Sequence, residues 1–173
     1  MGSGSKGLYS GAYTGDSGNT APKPTVYHAT AALIDHIENP QPTSSTNEGI
    51  KGAHKRDNFQ KEVDRIGARA INHQKNSQMD GVEKITYQMP KKDRYGNPTG
   101  DYKNKRFEKT VYDPSKISTS SYVKRGIQAA NNAAKSSSTG KLGREWSGTD
   151  NHGVTWHGYC DSDGNITSFY PED

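Results

Sequence analysis

The sequence predicts an α+β fold: N-terminal helices followed by antiparallel β-meander sheets. Three observations predict it. Apolar residues recur at helical spacing in the first half of the chain, period-two alternation takes over after Asp80, and the last third breaks into short alternating runs between turn residues. With 173 residues, 28% hydrophobic and 24% charged, the chain suits one domain with a small core, expected over 26–173.

Residues 1–25 are dominated by Gly, Ser, Thr and Pro, show no apolar period, and read as a flexible linker or a remnant of cloning. They lack the charged and apolar regions of a secretory signal, so the chain is expected to be either cytosolic or a piece of a longer exported protein. The abrupt change of composition at Thr25 favours the second. Val26, Ala29, Leu33 and Ile37 predict a helix over 26–37, closed by Pro40, with His36 near its end. A loop of Pro, Thr, Ser and Asn runs to Gly49. GIKGAH then leads into a second helix over 57–73, with Phe59, Val63, Ile66 and Ala70 on one face. His54 precedes that helix, where unpaired N–H groups favour a phosphate.

VEKITYQMP alternates as a strand, and Gly96, Asn97, Pro98 and Gly100 predict a hairpin turn over 93–101. The returning strand is YKNKRFEKTVYDP, ended by Pro114, along which alternation points Lys103, Lys105 and Lys109 to one face. A third helix is expected over 117–134. The segment REWSGTDNHGVTWHGYCDSDGNITSFYP predicts three short strands with turns at 149–153 and 162–165, Trp146 and Trp156 serving as packing residues. Cys160 is the single cysteine, which excludes an intramolecular disulfide and a zinc site built on paired cysteines, and it reads as a buried strand residue.

A net charge of +4 and a pI near 9.0 are compatible with a polyanionic partner. No apolar run approaches the roughly 20 residues of a membrane span, so no stable membrane insertion is expected. Six histidines, at 28, 36, 54, 73, 152 and 157, supply candidate acid–base groups. Metal-free cleavage of RNA needs one such group to take the proton of the 2′-OH and another to protonate the leaving 5′-oxygen. It also needs a cation aimed at the non-bridging oxygens.

HI at His36, a Pro/Thr/Ser/Gly loop, GIKGAH ending at His54, EKTVYDP around Lys109, and ITSFYP with Ser168 and Tyr170 follow one another in an order that resembles the EndoU endoribonucleases. Such domains close the contact-dependent growth inhibition (CdiA-like) toxins and related polymorphic toxins, and the resemblance covers 26–173. It implies an EndoU, RNase A-like fold. His54 would be the general base, His36 the general acid, with the two labels exchangeable, and Lys109 the cation that neutralises the phosphate. Ser168 and Tyr170 would hold a uracil base by hydrogen bonding and stacking. The resemblance further implies cleavage 3′ of uridylates to 2′,3′-cyclic phosphate and 5′-OH ends, without metal or cofactor. It implies RNA, tRNA above all, as substrate. A producer protected by a cognate immunity protein, acidic where it meets a basic cleft, would deliver the domain as part of a larger secreted or cell-surface protein into a target cell's cytoplasm.

Alternatives stay open at the level of single residues. His28 or His73 would replace His36 if the motif alignment slipped, Lys103 and Lys105 compete with Lys109, and Thr167 competes with Ser168, although alternation puts Ser168 and Tyr170 on one face. The basic runs KKDR at 91–94 and KNKR at 103–106 are either solvated faces or guides for a tRNA-sized substrate. Two rival functions remain: a non-enzymatic basic binding module of a large exported adhesin, and a metal-dependent nuclease using His54 with Asp57 or Asp113.

Overall fold

The structure, a computed structural model, describes residues 22–42 and 47–173. The linker expected over 1–25 falls almost wholly outside the described residues, as do residues 43–46 of the loop before Gly49.

Helix α1 spans Ala31–Glu38 and buries Leu33 and Ile37. It starts five residues later than the apolar spacing predicts, because the Thr30 side chain accepts from Leu33 N–H and caps it there. Val26, counted in the predicted helix, is 66% exposed. The segment before the cap is instead held extended by the Asn131 side chain, which accepts from Tyr27 N–H at 2.7 Å and donates to Tyr27 O at 3.1 Å. Helix α2 spans Arg56–Ile66, not 57–73. Gly67, at φ +76°, ends it in the left-handed conformation, and Ala68 N–H returns to Val63 O at 3.0 Å. The residues beyond, read as helical from Ala70, form strand β1, Arg69–Lys75.

Strand β2, Val82–Gln88, pairs antiparallel with β1 on one side and with β5, Phe107–Tyr112, on the other. The predicted hairpin closes differently. A small hairpin of β3, Pro90–Lys92, and β4, Pro98–Tyr102, intervenes, turned by Asp93, whose carboxylate accepts from Tyr95 and Asn97 N–H. Lys103 and Lys105 therefore lie between β4 and β5, outside any strand. The alternation that placed them on one face with Lys109 does not apply.

Helix α3, Thr119–Ser136, capped by the Ser118 side chain, stands between this sheet and a second one in the chain. The helices thus do not all precede the strands. The second sheet runs in the order β6, Glu145–Thr149; β7, Thr155–Cys160; β8, Ile166–Pro171, with turns where they were predicted. The architecture is α+β with antiparallel sheets.

Two cores result. One packs α1 and α3 on the second sheet around Tyr122, Trp156 and Phe169, each 0% exposed, and includes Trp146 and Cys160 as expected. The other packs α2 on the first sheet around Phe59, Ile85, Tyr87 and Val111. Helix α3 lies close on β6 because Gly148 has no side chain: a Cβ there would sit 2.1 Å from Ala129 O. No helix among the described residues is long and apolar enough to cross a membrane.

Asp150 holds the turn between β6 and β7. Its carboxylate, on a residue 4% exposed, accepts from Trp156 Nε1, Arg125 Nε and the His152 and Val154 N–H groups. Asp150→Ala leaves the buried indole and the guanidinium without acceptors, and should cost about 3 kcal/mol in urea denaturation followed by fluorescence.

Candidate active site

The site begins with the carbonyls that the end of α1 leaves unpaired. The helix's own last bond runs from Asn39 N–H to Asp35 O at 2.8 Å, and beyond it Glu38 O accepts from the Asn58 side chain at 2.9 Å. His36 O accepts from Ala53 N–H at 3.0 Å, and Ile37 O from the N–H groups of His54 at 2.6 Å and Lys55 at 3.2 Å. The GAH turn is thus the C-terminal cap of α1. Gly52 must be glycine on two counts: φ is +73°, and a Cβ would stand 2.4 Å from Asn39 O and 2.6 Å from His36 O. Ala53, fully buried, also takes a positive φ of 57°, a strained conformation that its N–H bonds to His36 O and Asn39 O retain. On the other side of the turn Tyr112 N–H donates to His54 O at 2.8 Å, tying it to β5.

This frame brings two imidazoles together, their ring centroids 5.9 Å apart and their planes at 44°. His54 is 6% exposed, and its Nδ1 lies 2.7 Å from Thr110 O. A carbonyl can only accept, so Nδ1 carries the proton and Nε2 is left with a free lone pair. Burial holds the His54 pKa well below 6.5, and the charge of Lys109 presses it the same way, against the bond to Thr110. His36 is half-buried and bonds through Nδ1 to Gln41 Oε1 at 2.9 Å. Its pKa is also lowered, by burial first and by Lys109, while the Gln41 bond acts in the other direction.

Lys109 pairs with Ile85 across β5 and β2, and so shares the sheet face that packs under α2. It is 8% exposed, its Nζ donates to Gly52 O at 2.8 Å, and burial pushes its pKa down to about 8. All three groups line a cavity of about 730 Å³ between the two sheets. Lys84, Glu108 and Thr110 form the wall from the first sheet, and His157, Tyr159, Ser168 and Tyr170 the wall from the second. Glu172 and Asp173 close one side, Glu172 Oε1 lying 2.8 Å from His157 Nε2 and Asp173 Oδ2 2.6 Å from Lys84 Nζ.

Five of the residues singled out from the sequence therefore meet at one cavity: His36, His54, Lys109, Ser168 and Tyr170. The competing positions lie elsewhere. Thr167 is exposed, its Oγ1 directed to Tyr159 O at 3.4 Å, and does not line the cavity. Lys103 donates to Asn47 Oδ1, and Lys105 sits over the Phe107 ring. His28 lies on a separate groove beside α3, and His73 is an exposed residue of β1 bonded to Glu83. Asp57 and Asp113 do not line the cavity either; Asp113 is committed to Arg56 and Ser115. Among the described residues no group of His, Cys, Asp or Glu is arranged to hold a metal ion. The residues that open α2, 55–57, are absent from the lining as well, so Lys109, rather than that helix terminus, supplies the positive charge beside the histidines.

Lys51, Lys84, His157 and Tyr159 line the cavity without the sequence having given them a role there. For the last two a signal existed: His157 faces Tyr170 and Tyr159 faces Ser168 across the β7–β8 pair, so the four share one side of the sheet. Lys84 belongs to a sheet whose apposition no local pattern encodes.

The family model described as bacterial EndoU nuclease matches residues 30–173. The chain is similar to a protein named tRNA nuclease CdiA from Yersinia mollaretii, 32% identical over 124 residues that make up 71% of this chain and 4% of the relative. It is also similar to a protein of the same name from Escherichia coli, 35% identical over 132 residues, 74% of this chain and 4% of the relative. The chain thus spans about 4% of the length of these curated relatives.

The cap geometry carries its own test. Gly52→Ala places a methyl group against two backbone oxygens at a positive φ, and should lower stability by about 2 kcal/mol or more in urea denaturation. A change within 0.5 kcal/mol would mean that the turn relaxes freely.

Proposed function

The chain belongs to the bacterial EndoU nuclease family, and from that premise we propose that it is a metal-independent endoribonuclease that cuts RNA, tRNA above all, 3′ of uridylates by transesterification. The observation that carries this reading is the meeting of two imidazoles and a buried ammonium at one cavity. His54 Nε2 takes the 2′-OH proton, as suits a ring that is neutral with its other nitrogen committed to Thr110. The 2′-oxygen attacks phosphorus, the bond to the 5′-oxygen breaks, and His36 protonates that oxygen, leaving a 2′,3′-cyclic phosphate and a 5′-OH. The Gln41 carbonyl favours the charged form of His36 that this step consumes. Lys109 neutralises the charge that builds up on the non-bridging oxygens. Ser168 and Tyr170 take the uracil, by hydrogen bonding and by stacking.

The names of the two relatives and the small share of them that this chain spans support a further part of the reading. The domain is delivered as part of a much larger secreted or cell-surface protein, acts in a target cell's cytoplasm during interbacterial competition, and is blocked by a cognate immunity protein. The mixed cavity charge, with Lys51, Lys84 and Lys109 against Glu108, Glu172 and Asp173, means that an acidic inhibitor would address the lysines.

The reading is checked by incubating the purified chain with total tRNA in excess EDTA and mapping the ends. Cuts 3′ of uridylates bearing cyclic phosphate are expected. His54→Ala and His36→Ala should each reduce the rate by about 10²–10⁴-fold, and Lys109→Gln by about 10²–10³-fold, with circular dichroism unchanged. Absence of cleavage would leave a binding module in its place. The pH profile follows from the two lowered histidines. The productive form has His54 deprotonated and His36 protonated, so kcat/KM should rise through the low pKa of His54 and fall as His36 loses its proton, peaking below pH 6.5. A maximum above pH 7.5 would overturn the assignment of acid and base.

A further inference from the structure

The cleavage proposed above uses His36 and His54 and leaves a third cavity-lining imidazole, His157, without work. Its surroundings are specific. On β7 it stands directly opposite Tyr170 of β8, the ring centroids 5.7 Å apart and the planes tilted by 34°, so the two rings are neighbours in the cavity wall. His157 Nε2 donates to Glu172 Oε1 at 2.8 Å, which orients the imidazole from the side of the cavity that Glu172 closes. The strand beneath has little freedom: Trp156 is 0% exposed, and Gly158 lies so close under Trp146 that a Cβ would be 2.2 Å from its ring.

We propose that His157 and Tyr170 form a single two-ring platform on which a nucleotide base of the substrate lies, with Glu172 as the positioning residue that orients the imidazole. The inference rests on the reading that this cavity binds RNA. A base suits the site better than a phosphate, because the Glu172 carboxylate beside Nε2 repels an anion from that nitrogen, whereas the ring face is left for stacking. A second ring beside Tyr170 widens the apolar surface offered to the base beyond what one phenol supplies.

The test is binding of a short single-stranded RNA with 2′-O-methyluridine at the cut position, which lacks the nucleophilic hydroxyl, followed by fluorescence anisotropy. His157→Ala should weaken binding roughly tenfold, and His157→Phe, which keeps a ring, should stay within about twofold of the wild type. Glu172→Ala should cost a smaller factor that Glu172→Gln restores. The salt dependence of binding should be the same for His157→Ala and the wild type; a slope reduced by about one would mean that His157 contacts a phosphate and would overturn the platform. Wild-type affinity in His157→Ala, equal losses in the Ala and Phe variants, or no binding by the wild type would each overturn it too. Failure of the wild type to cleave tRNA while it binds this probe would remove the nuclease reading and leave the platform standing.

Discussion

The site depends on one backbone constraint: the carbonyls of His36, Ile37 and Asn39 at the end of α1 are satisfied by the N–H groups of residues 53–55. A buried carbonyl without a partner costs on the order of 1–3 kcal/mol, so the turn is drawn onto the helix end. It reaches the helix end through the left-handed conformations of Gly52 and Ala53. Because His36 belongs to the capped helix and His54 to the capping turn, the bonds that close the helix also set the distance between the two rings.

The same turn carries the electrostatics. It faces α1 on one side and β5 on the other, so His54 is enclosed on both sides and its ring is desolvated. Lys109 is driven to the same place from beneath, sharing a sheet face with Ile85 and Val111 under α2, with its amine satisfied by Gly52 O. Burial disfavours charge on all three groups, and at the two histidines the charge of Lys109 adds to it. An anion placed beside these three groups would offset that penalty.

The cavity exists because the protein has two cores rather than one. The first sheet packs mainly against α2 and the second against α1 and α3, with Val82 and Tyr112 of the first sheet reaching the second core, and the cavity opens between the sheets. Helix α1 joins the halves: its apolar face belongs to the second core, while its C-terminal end holds the turn that meets the first sheet. The Lys84–Asp173 ion pair spans the gap directly.

Much of this was legible in local residue patterns, and the limits have physical causes. The three strands of the second sheet, the α3 segment and the buried positions of Trp146, Trp156 and Cys160 follow from alternation and turn chemistry, which are properties of consecutive residues. Helix ends were misjudged where apolar spacing ran past a cap, at Thr30 and at Gly67, because hydrogen bonds to a side chain or a left-handed residue outweigh periodicity. The sequence by itself determined the three helices, the β2 and β5 segments, the second sheet and the motifs that bear His36, His54, Lys109, Ser168 and Tyr170, but neither β1 nor the β3–β4 hairpin. Only the tertiary structure decided that Lys109 rather than Lys103 or Lys105 lines the cavity with the histidines, and that His157 and Lys84 belong to its walls. Those outcomes depend on strand register and on the apposition of two sheets distant in sequence, and contacts between distant segments leave no period in a chain for a reader to count.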